Sequence, residues 1–457
     1  MIERNKELLA LAKRGNTSNC KILLDLGAAV DTKSELGETP LHLAAIYGHT
    51  GTCVLLLDRD AEVDNKSMEG NTPLHIASRR GHSGVCAALL ERGANANAKD
   101  KNGLSVLFFS AYYGHTAICT LLLDHGADVN IRNKGGKTPL EDAAYRGHFE
   151  TCLLLVDRGA NVNVRDKYDH TPLALAAMAG NANICTLLLD RGAKVNLKGI
   201  FGTRALHRAA DFGHTEICAL LLDRGADKKD CSTALARAAQ NGHSETCAFF
   251  MNLGTSADWQ ALHLAAEKGR TKICAELIAD GADVNHKDQQ GYTALHKAAE
   301  MGHTATCALL IDHGAKVSPK GDDALTPLRW AAFGGHTDTC ALLFDRGAEA
   351  GEVSKIDRQA EAPLISAAKA GNFDLCTLLL DHGVNVDVQG KFRNSALHAA
   401  AEGGHTNISQ LLLDRGADMS AKNKEGVTPL QIAALRGLPK TYDMMLSRGA
   451  KADDREG

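Results

Sequence analysis

No run of 18 apolar residues occurs in the chain, so the sequence predicts no membrane-spanning helix. The net charge is only −4 over 457 residues, which predicts no general attraction to nucleic acid or to an anionic membrane. Acidic and basic side chains interrupt the only apolar stretch near the N-terminus, which is therefore a poor secretory signal. From these absences we expect a cytoplasmic protein that binds no membrane.

Motifs for metal binding and catalysis are also missing. Histidine and cysteine recur as H-x3-C, as in His49 and Cys53, but no C-x2-C pair occurs to help bring four ligands onto one zinc ion. The segment GGKTPL, which contains Lys137, lacks the earlier glycine of a phosphate-binding loop because Ile131 stands there. No G-x-S-x-G, H-E-x-x-H or kinase signature is present. We predict no metal, no cofactor and no enzymatic activity.

The chain does contain one unit that is repeated at a fixed period. Leucine markers recur, mostly 33 residues apart, at Leu8, Leu41, Leu74, Leu107, Leu140, Leu173, Leu206, Leu235, Leu262, Leu295, Leu328, Leu364, Leu397 and Leu430. Twelve of the 13 cysteines lie twelve residues after a marker, from Cys20 to Cys376, and are interpreted as reduced thiols on the apolar side of a helix. Such self-similarity predicts a stacked repeat protein, which grows by adding units.

Residues 38–64 show what one unit builds. Thr39 is suited to cap a short helix that begins at Pro40, where the missing N–H costs nothing. Gly48 ends that helix, and a second helix follows with Cys53 on its buried face. Two short helices and a projecting turn, here called a finger, cannot bury their own apolar faces. Stacked neighbours must therefore cover them.

Units such as NTPLHIASRRGHSGVCAALLERGANAN resemble the ankyrin repeat, and the resemblance covers the whole chain. It implies an all-α repeat solenoid of helix-turn-helix units with projecting β-turn or hairpin fingers, stacked into a curved superhelical array. It also implies that the histidine of the TPLH tetrad is hydrogen-bonded within the framework. The end units are expected to be caps, with polar residues at 3–7 and a charged tail after Lys451. The family's general role implies a non-enzymatic scaffold that binds one or more partner proteins on its concave face.

The repeat spacing is irregular at three places. It is 29 residues from Leu206 to Leu235, 27 from Leu235 to Leu262, and 36 from Leu328 to Leu364. The two short spacings remove residues between the second helix of one unit and the first helix of the next.

We therefore predict three regions. Residues 1–225 form an N-terminal array with its cap, 226–261 contain shortened fingers that break the concave wall, and 262–457 form a C-terminal array with its cap. The alternative is ordinary drift in loop length. The one cysteine out of phase, Cys231, lies in the first shortened turn and is expected to be more exposed than the others. The long spacing lengthens one finger, at residues 348–364.

The resemblance also indicates where a partner binds. In the family, variable positions face the concave side at the finger tips and at the end of the first helix, five and six residues after the marker; we call the latter positions the helix-end row. Four of the seven tyrosines fall in this row and two on finger tips. Because tyrosine and arginine are favoured at interface anchors, we predict a partner-binding site at Tyr47, Arg79, Arg80, Tyr112, Tyr113, Tyr145, Arg146, Tyr168, Phe212 and Tyr292. The alternative is that the framework tolerates variety there.

Charge gives a first indication of the partner. Positive charge is added on the fingers of the same half by Lys101, Lys134, Lys137 and Lys167. The expected partner therefore carries an acidic or mixed segment. A second partner of different charge is predicted for the acidic row residues Asp211, Glu267, Glu300 and Glu402.

Three other interpretations stay open. A nucleic-acid reader would use the basic row with stacking tyrosines, although the negative net charge and the acidic C-terminal half argue against it. The near-identical units indicate recent duplication, as in ankyrin-repeat effectors that intracellular bacteria secrete into a host cytosol. Finally, four turn asparagines either favour the turn geometry or are substrates of an asparaginyl hydroxylase, namely Asn130, Asn163, Asn196 and Asn285.

Overall fold

The computed structural model of the protein describes residues 2–255, 259–323, 325–349, 362–390 and 392–451. Within these residues the chain forms 28 α-helices, and its only β-structure is an isolated bridge between Lys99 and Ser105. None of the helices in these ranges is long and apolar enough to cross a membrane. The prediction of an all-α repeat array is confirmed. The chain divides into two compact units, residues 1–230 and 231–457.

The first unit contains seven helix pairs, numbered here as repeats one to seven. Their helices are α1 (Ile2–Arg14), α2 (Thr17–Asp25), α3 (Pro40–Ile46), α4 (Thr50–Leu57), α5 (Pro73–Arg80), α6 (Ser83–Glu91), α7 (Val106–Tyr112), α8 (Thr116–Asp124), α9 (Pro139–Arg146), α10 (Phe149–Asp157), α11 (Pro172–Ala179), α12 (Ala182–Asp190), α13 (Ala205–Asp211) and α14 (Thr215–Asp223). Within this unit, each first helix packs on the first helix of the neighbouring repeat, so neighbouring repeats cover one another's apolar faces.

The second unit contains seven further pairs, repeats eight to fourteen. Their helices are α15 (Cys231–Asn241), α16 (Ser244–Asn252), α17 (Trp259–Glu267), α18 (Thr271–Ala279), α19 (Ala294–Glu300), α20 (Thr304–Asp312), α21 (Pro327–Phe333), α22 (Thr337–Asp345), α23 (Pro363–Ala370), α24 (Phe373–Asp381), α25 (Ala396–Gly403), α26 (Thr406–Asp414), α27 (Pro429–Leu435) and α28 (Pro439–Ser447).

The TPLH tetrad caps the N-terminus of the first helix in the repeats that carry it. In repeat two, the backbone N–H of Thr39 donates to Nδ1 of His42 over 3.2 Å, and the Thr39 hydroxyl caps the backbone N–H of His42. Because Nδ1 accepts, the proton sits on Nε2, which donates to the carbonyl oxygen of Asn71 in the next finger over 3.0 Å. Burial lowers the pKa of His42, which keeps the ring neutral. The framework role implied for these histidines is confirmed in this repeat.

The glycine after the first helix meets the next repeat directly. Gly48 adopts a left-handed backbone with φ of 74°, and a β-carbon there would lie 2.7 Å from Nδ1 of His82. The other ring nitrogen of His82 donates to the carbonyl oxygen of Ile46 over 3.1 Å. A side chain at this position is therefore excluded both by backbone strain and by the neighbouring ring.

The second helices supply the cysteines. All 13 cysteines are buried free thiols, as expected for those in phase with the repeat. Cys152, for example, is fully buried, and desolvation raises the pKa of its thiol to about 12. Such a thiol acts as a small apolar side chain that fills the space between the two helices of its repeat.

As expected, Cys231 is more exposed than the other twelve cysteines, which are 0% exposed, but it too is buried. Cys231 is 6% exposed because helix α15 begins at this residue, directly after a 3-10 turn at Lys228–Asp230. It stands four residues before Leu235 on the same helix, so both side chains face the core. The shortened finger has become the start of a longer first helix.

The described residues include only part of the terminal and irregular segments about which the sequence made predictions. The N-terminal residues 3–7 are polar as expected, and they form the first turns of the 13-residue helix α1. The second shortened finger includes residues 256–258, and the lengthened finger includes 350–361. Both stretches, like the charged tail at 452–457, lie outside the described residues.

Candidate partner-binding surface

The helix-end row of the first unit lies at the surface. Tyr47 and Tyr113 are each 47% exposed at the C-caps of α3 and α7, and Tyr145 is 42% exposed in the last turn of α9. Arg80 and Arg146 end helices α5 and α9 and are exposed. Large aromatic and cationic side chains therefore stand in solvent at the same place in consecutive repeats.

The backbone under the row is held by the next repeat. His148 donates from Nε2 to the carbonyl oxygen of Tyr112 over 2.9 Å, just as His82 donates to that of Ile46. The same bond joins His214 to the carbonyl oxygen of Met178. These histidines stand at the start of the second helices, so each of these three carbonyl groups is bound to a rigid element. The row side chains there therefore project from an ordered backbone.

Helix α7 carries the densest part of the row. The guanidinium of Arg146 lies 4.1 Å from the ring centre of Tyr112, and that of Arg79 lies 5.8 Å from the ring centre of Phe109. Tyr112 also meets Tyr113 edge-on, with ring centres 4.9 Å apart. We call these five residues the α7 cluster. Each cation is held over a ring face by attraction to the ring's electrons.

Two row tyrosines also stack on the histidine that starts the second helix. The ring centres of Tyr47 and His49 are 6.2 Å apart with planes 19° from parallel, and those of Tyr113 and His115 are 6.0 Å apart at 21°. An aromatic residue followed by Gly-His is therefore the sequence signal for this arrangement. It fixes the ring of an otherwise exposed side chain.

Three predicted site residues lie apart from the α7 cluster. Tyr168 is 51% exposed on a finger, with the ammonium of Lys167 5.0 Å from its ring centre. Phe212 is also 51% exposed, in repeat seven. Tyr292 belongs to the second unit, where its hydroxyl donates to Asp323 and its ring meets that of Trp330 edge-on. Tyr292 is thus part of a different surface from the other nine residues.

The finger lysines are less free than the sequence indicates. Lys134 donates to the carbonyl oxygen of Lys101 over 2.6 Å, so it ties two fingers together. Lys137 lies 3.6 Å from the carboxylate of Asp142. Lys101 and Lys167 are exposed. The exposed positive charge of this surface is therefore carried by Lys101 and Lys167 together with Arg80 and Arg146.

The acidic row residues are largely paired. Glu267 lies 3.0 Å from Lys268, and Glu402 pairs with Arg436. Asp211, in the first unit, lies 3.6 Å from Arg208. These pairs reduce the negative potential on which a second partner of opposite preference would depend.

Sequence reasoning missed one member of the surface, Phe109, and left Lys13 of the basic row out of the predicted site. Phe109 lies two residues after a marker, where most other repeats have an aliphatic or polar residue and repeat eleven has Trp330, and it lies three residues before Tyr112 on the same helix face. Lys13 ends the first helix of repeat one, and its ammonium lies 5.7 Å from the ring centre of Tyr47. The sequence signal for both was a basic residue and an aromatic residue in neighbouring repeats, as in Arg79 with Phe109 and Lys13 with Tyr47.

The turn asparagines have a framework role. Asn163 donates its amide to the carbonyl oxygen of Gly192 over 3.0 Å and accepts from the N–H of Lys194 over 2.8 Å. Asn130 makes the equivalent pair of bonds to the repeat that follows it. Each amide thus joins two consecutive repeats.

Other chemistry is sparse in the described ranges, where no three histidine, cysteine, aspartate or glutamate side chains are grouped so as to hold a metal ion. No curated protein matches the chain. A family model described as ankyrin repeats in three copies matches seven times, at residues 8–100, 93–166, 159–231, 228–288, 281–357, 316–390 and 364–456. These overlapping matches together cover nearly the full length of the chain, and the chain belongs to the ankyrin repeat family.

Proposed function

We propose that this chain is a non-enzymatic scaffold that binds a partner protein on the helix-end row of its first unit. Ankyrin repeats are generally protein–protein interaction modules. The α7 cluster is the observation that supports this location, because it concentrates rings and guanidinium groups on one surface. Tyrosine provides a large contact area with little loss of side-chain entropy, and tyrosine and arginine are both enriched among the residues that dominate interface energetics.

The nearly rigid base of the row also favours binding. The backbone of the row is anchored through a histidine of the next repeat at Ile46 and Tyr112, and through Asn181 at Tyr145. Rings stacked on histidines, such as Tyr47 and Tyr113, are already ordered before a partner arrives. A surface that loses little freedom on binding keeps more of its contact energy as affinity.

The test is a triple variant of exposed row residues, Arg80→Gln, Tyr113→Ser and Tyr145→Ser, compared with the unchanged chain. We expect crosslinking mass spectrometry in the native cell to show partner contacts on this row, and the triple variant to lose them. Circular dichroism should be unchanged because these side chains lie at the surface and none belongs to the core.

A matched control carries Arg92→Gln, Arg158→Gln and Arg191→Gln. These arginines end second helices of the same unit and form ion pairs with the preceding repeat. The control should keep the partner contacts. If the row variant captures the partner as well as the unchanged chain does, the proposed location is wrong.

A further inference from the structure

The cations of the helix-end row are not evenly distributed. Lys13 stands in repeat one, Arg79 and Arg80 in repeat three, and Arg146 in repeat five. Aromatic side chains occupy the repeats between them, with Tyr47 in repeat two and three rings of the α7 cluster in repeat four. Positive charge in the row therefore falls on every second repeat, with rings in the repeats between and one further ring, Tyr145, beside Arg146.

Each ring face near a row cation is already occupied by that cation. Arg146 covers Tyr112 and Arg79 covers Phe109, so both rings are screened from a cationic ligand. A stacked guanidinium keeps its N–H groups pointing outward at the edge of its plane, and those groups form two parallel bonds with a carboxylate. The chemistry selects a partner that brings anions to the arginines and apolar groups to the rings between them.

The spacing then restricts the conformation of that partner. Neighbouring helices pack about 8–10 Å apart, so two repeats span about 16–20 Å. An extended strand or a polyproline II segment advances about 3.1–3.4 Å per residue, so about six residues cover this distance. In polyproline II, which has three residues per turn, residues three and six apart lie on the same face, so this is the extended conformation that fits. In a β-strand the third residue faces the opposite side, and six residues of α-helix advance only about 9 Å.

We propose that the α7 cluster binds an extended acidic segment of a partner protein, in which two carboxylates about six residues apart meet Arg79 and Arg146 and an apolar side chain between them meets Tyr113. This inference rests on the proposed function and adds the chemistry and register of the partner. Tyr113 is the exposed ring of the cluster, at 47%, and it lies on the helix between the two arginines.

A nucleic acid fits this pattern poorly. A DNA strand in a duplex presents one phosphate about every 3.4 Å, several times more densely than the row presents arginines. Glu38 and Glu69 also stand on the neighbouring fingers, where a continuous polyanion would meet them. Two widely spaced carboxylates avoid these fingers.

The experiment uses the full chain and two labelled synthetic 13-residue peptides of identical composition. One has glutamates six residues apart with a leucine midway, and the other has them four residues apart. Fluorescence anisotropy should show the six-residue spacing binding about tenfold more tightly, because only that peptide pairs both carboxylates. Arg146→Gln should remove this preference, and Arg191→Gln, a matched surface control, should preserve it.

Three results would overturn the inference: equal binding of the two peptides, no detectable binding of either, or tighter binding of a single-stranded oligonucleotide than of the six-residue-spaced peptide. Equal binding that is lost in Arg79→Gln and Arg146→Gln rejects the register alone and leaves the proposed surface in place. Failure of the proposed function itself is seen separately, when the native partner is captured regardless of row substitutions.

Discussion

Glu141 is the most informative residue for testing the framework. It occupies the histidine position of the TPLH tetrad in repeat five, where Oε2 accepts from the backbone N–H of Thr138 over 2.6 Å and from its hydroxyl over 3.0 Å. The side chain is fully buried, and Oε1 has no hydrogen-bond partner within the described part of the chain. In repeat two, by contrast, Nε2 of His42 donates to the carbonyl oxygen of Asn71 in the next finger. An ionised carboxylate has no proton with which to make that bond.

The pKa of Glu141 is raised to about 7 from its ordinary value of 4.5. Burial is the main cause and nearby Asp166 adds to it, while hydrogen bonds from Thr138 and the charge of Lys137 lower the pKa in part. The folded chain therefore binds this proton more tightly than the unfolded chain does. Between pH 4.5 and about 7, stability falls as pH rises; above pH 7 the full penalty is present, and below pH 4.5 it is absent. A shift from 4.5 to about 7 corresponds to about 3 kcal/mol at most, since one pKa unit is about 1.4 kcal/mol.

We therefore predict that Glu141→Gln stabilises repeat five by about 1–3 kcal/mol at pH 8 and by much less at pH 5. The chain already uses this solution in repeat fourteen, where Gln431 accepts from the N–H of Thr428 over 3.0 Å. Comparing variant and parent at the same pH cancels the titration of every other carboxyl group.

The assay is hydrogen exchange of the α9 amides, because an array need not unfold in one step and this readout is local. At pH 8 we expect exchange through opening to be about tenfold to a hundredfold slower in Glu141→Gln, given that about 1.4 kcal/mol is a factor of ten. The converse control, Gln431→Glu, should cost less because position 431 is only half-buried. A stabilisation that does not change between pH 5 and pH 8 would refute the reasoning.

Three further predictions concern the framework. Gly48→Ala should destabilise the chain by at least about 1 kcal/mol more than Gly93→Ala, in thermal unfolding, because both have a left-handed backbone but only position 48 meets His82; at Gly93 nothing described lies within 4 Å. Asn163→Asp keeps the acceptor and loses the donor to the next repeat, so it should cost about 1 kcal/mol by urea denaturation. Cys152 should resist iodoacetamide at pH 8 until urea opens its repeat, since burial raises its pKa to about 12; rapid labelling of the native chain would contradict this.

Most of the framework was predictable from the sequence because it depends on short-range rules that recur. Thr39, Pro40 and Gly48 each determine a cap, a helix start or a helix stop through their own backbone chemistry, and the period carries these positions along the chain. The buried cysteines follow from the same register. Cys231, by contrast, was predicted to lie in a shortened turn. Its residues instead extend the following helix, so that the thiol faces the core.

The surface was less predictable because long side chains choose their partners in the neighbouring repeat. The sequence placed Tyr112 and Arg146 on the same row, but only the structure shows that the guanidinium covers the ring and leaves Tyr113 as the exposed one. Likewise, Lys137 was counted as free positive charge, yet it lies beside Asp142 of the same repeat. Such pairings depend on rotamers and cross-repeat distances that a linear pattern does not contain.

The way in which the row is held separates folding requirements from binding requirements. Where a histidine of the next repeat holds the row, it binds a backbone carbonyl oxygen, as at Ile46 and Tyr112. This hydrogen bond therefore does not depend on which side chain the row residue carries. Repeat six shows this directly, because Met178 and Ala179 occupy the same positions and His214 still binds the carbonyl oxygen of Met178 over 3.3 Å. The array therefore folds with small or aliphatic residues in the row. Folding does not require the arginines and tyrosines that repeats three to five carry there, and this supports the proposal that they serve binding.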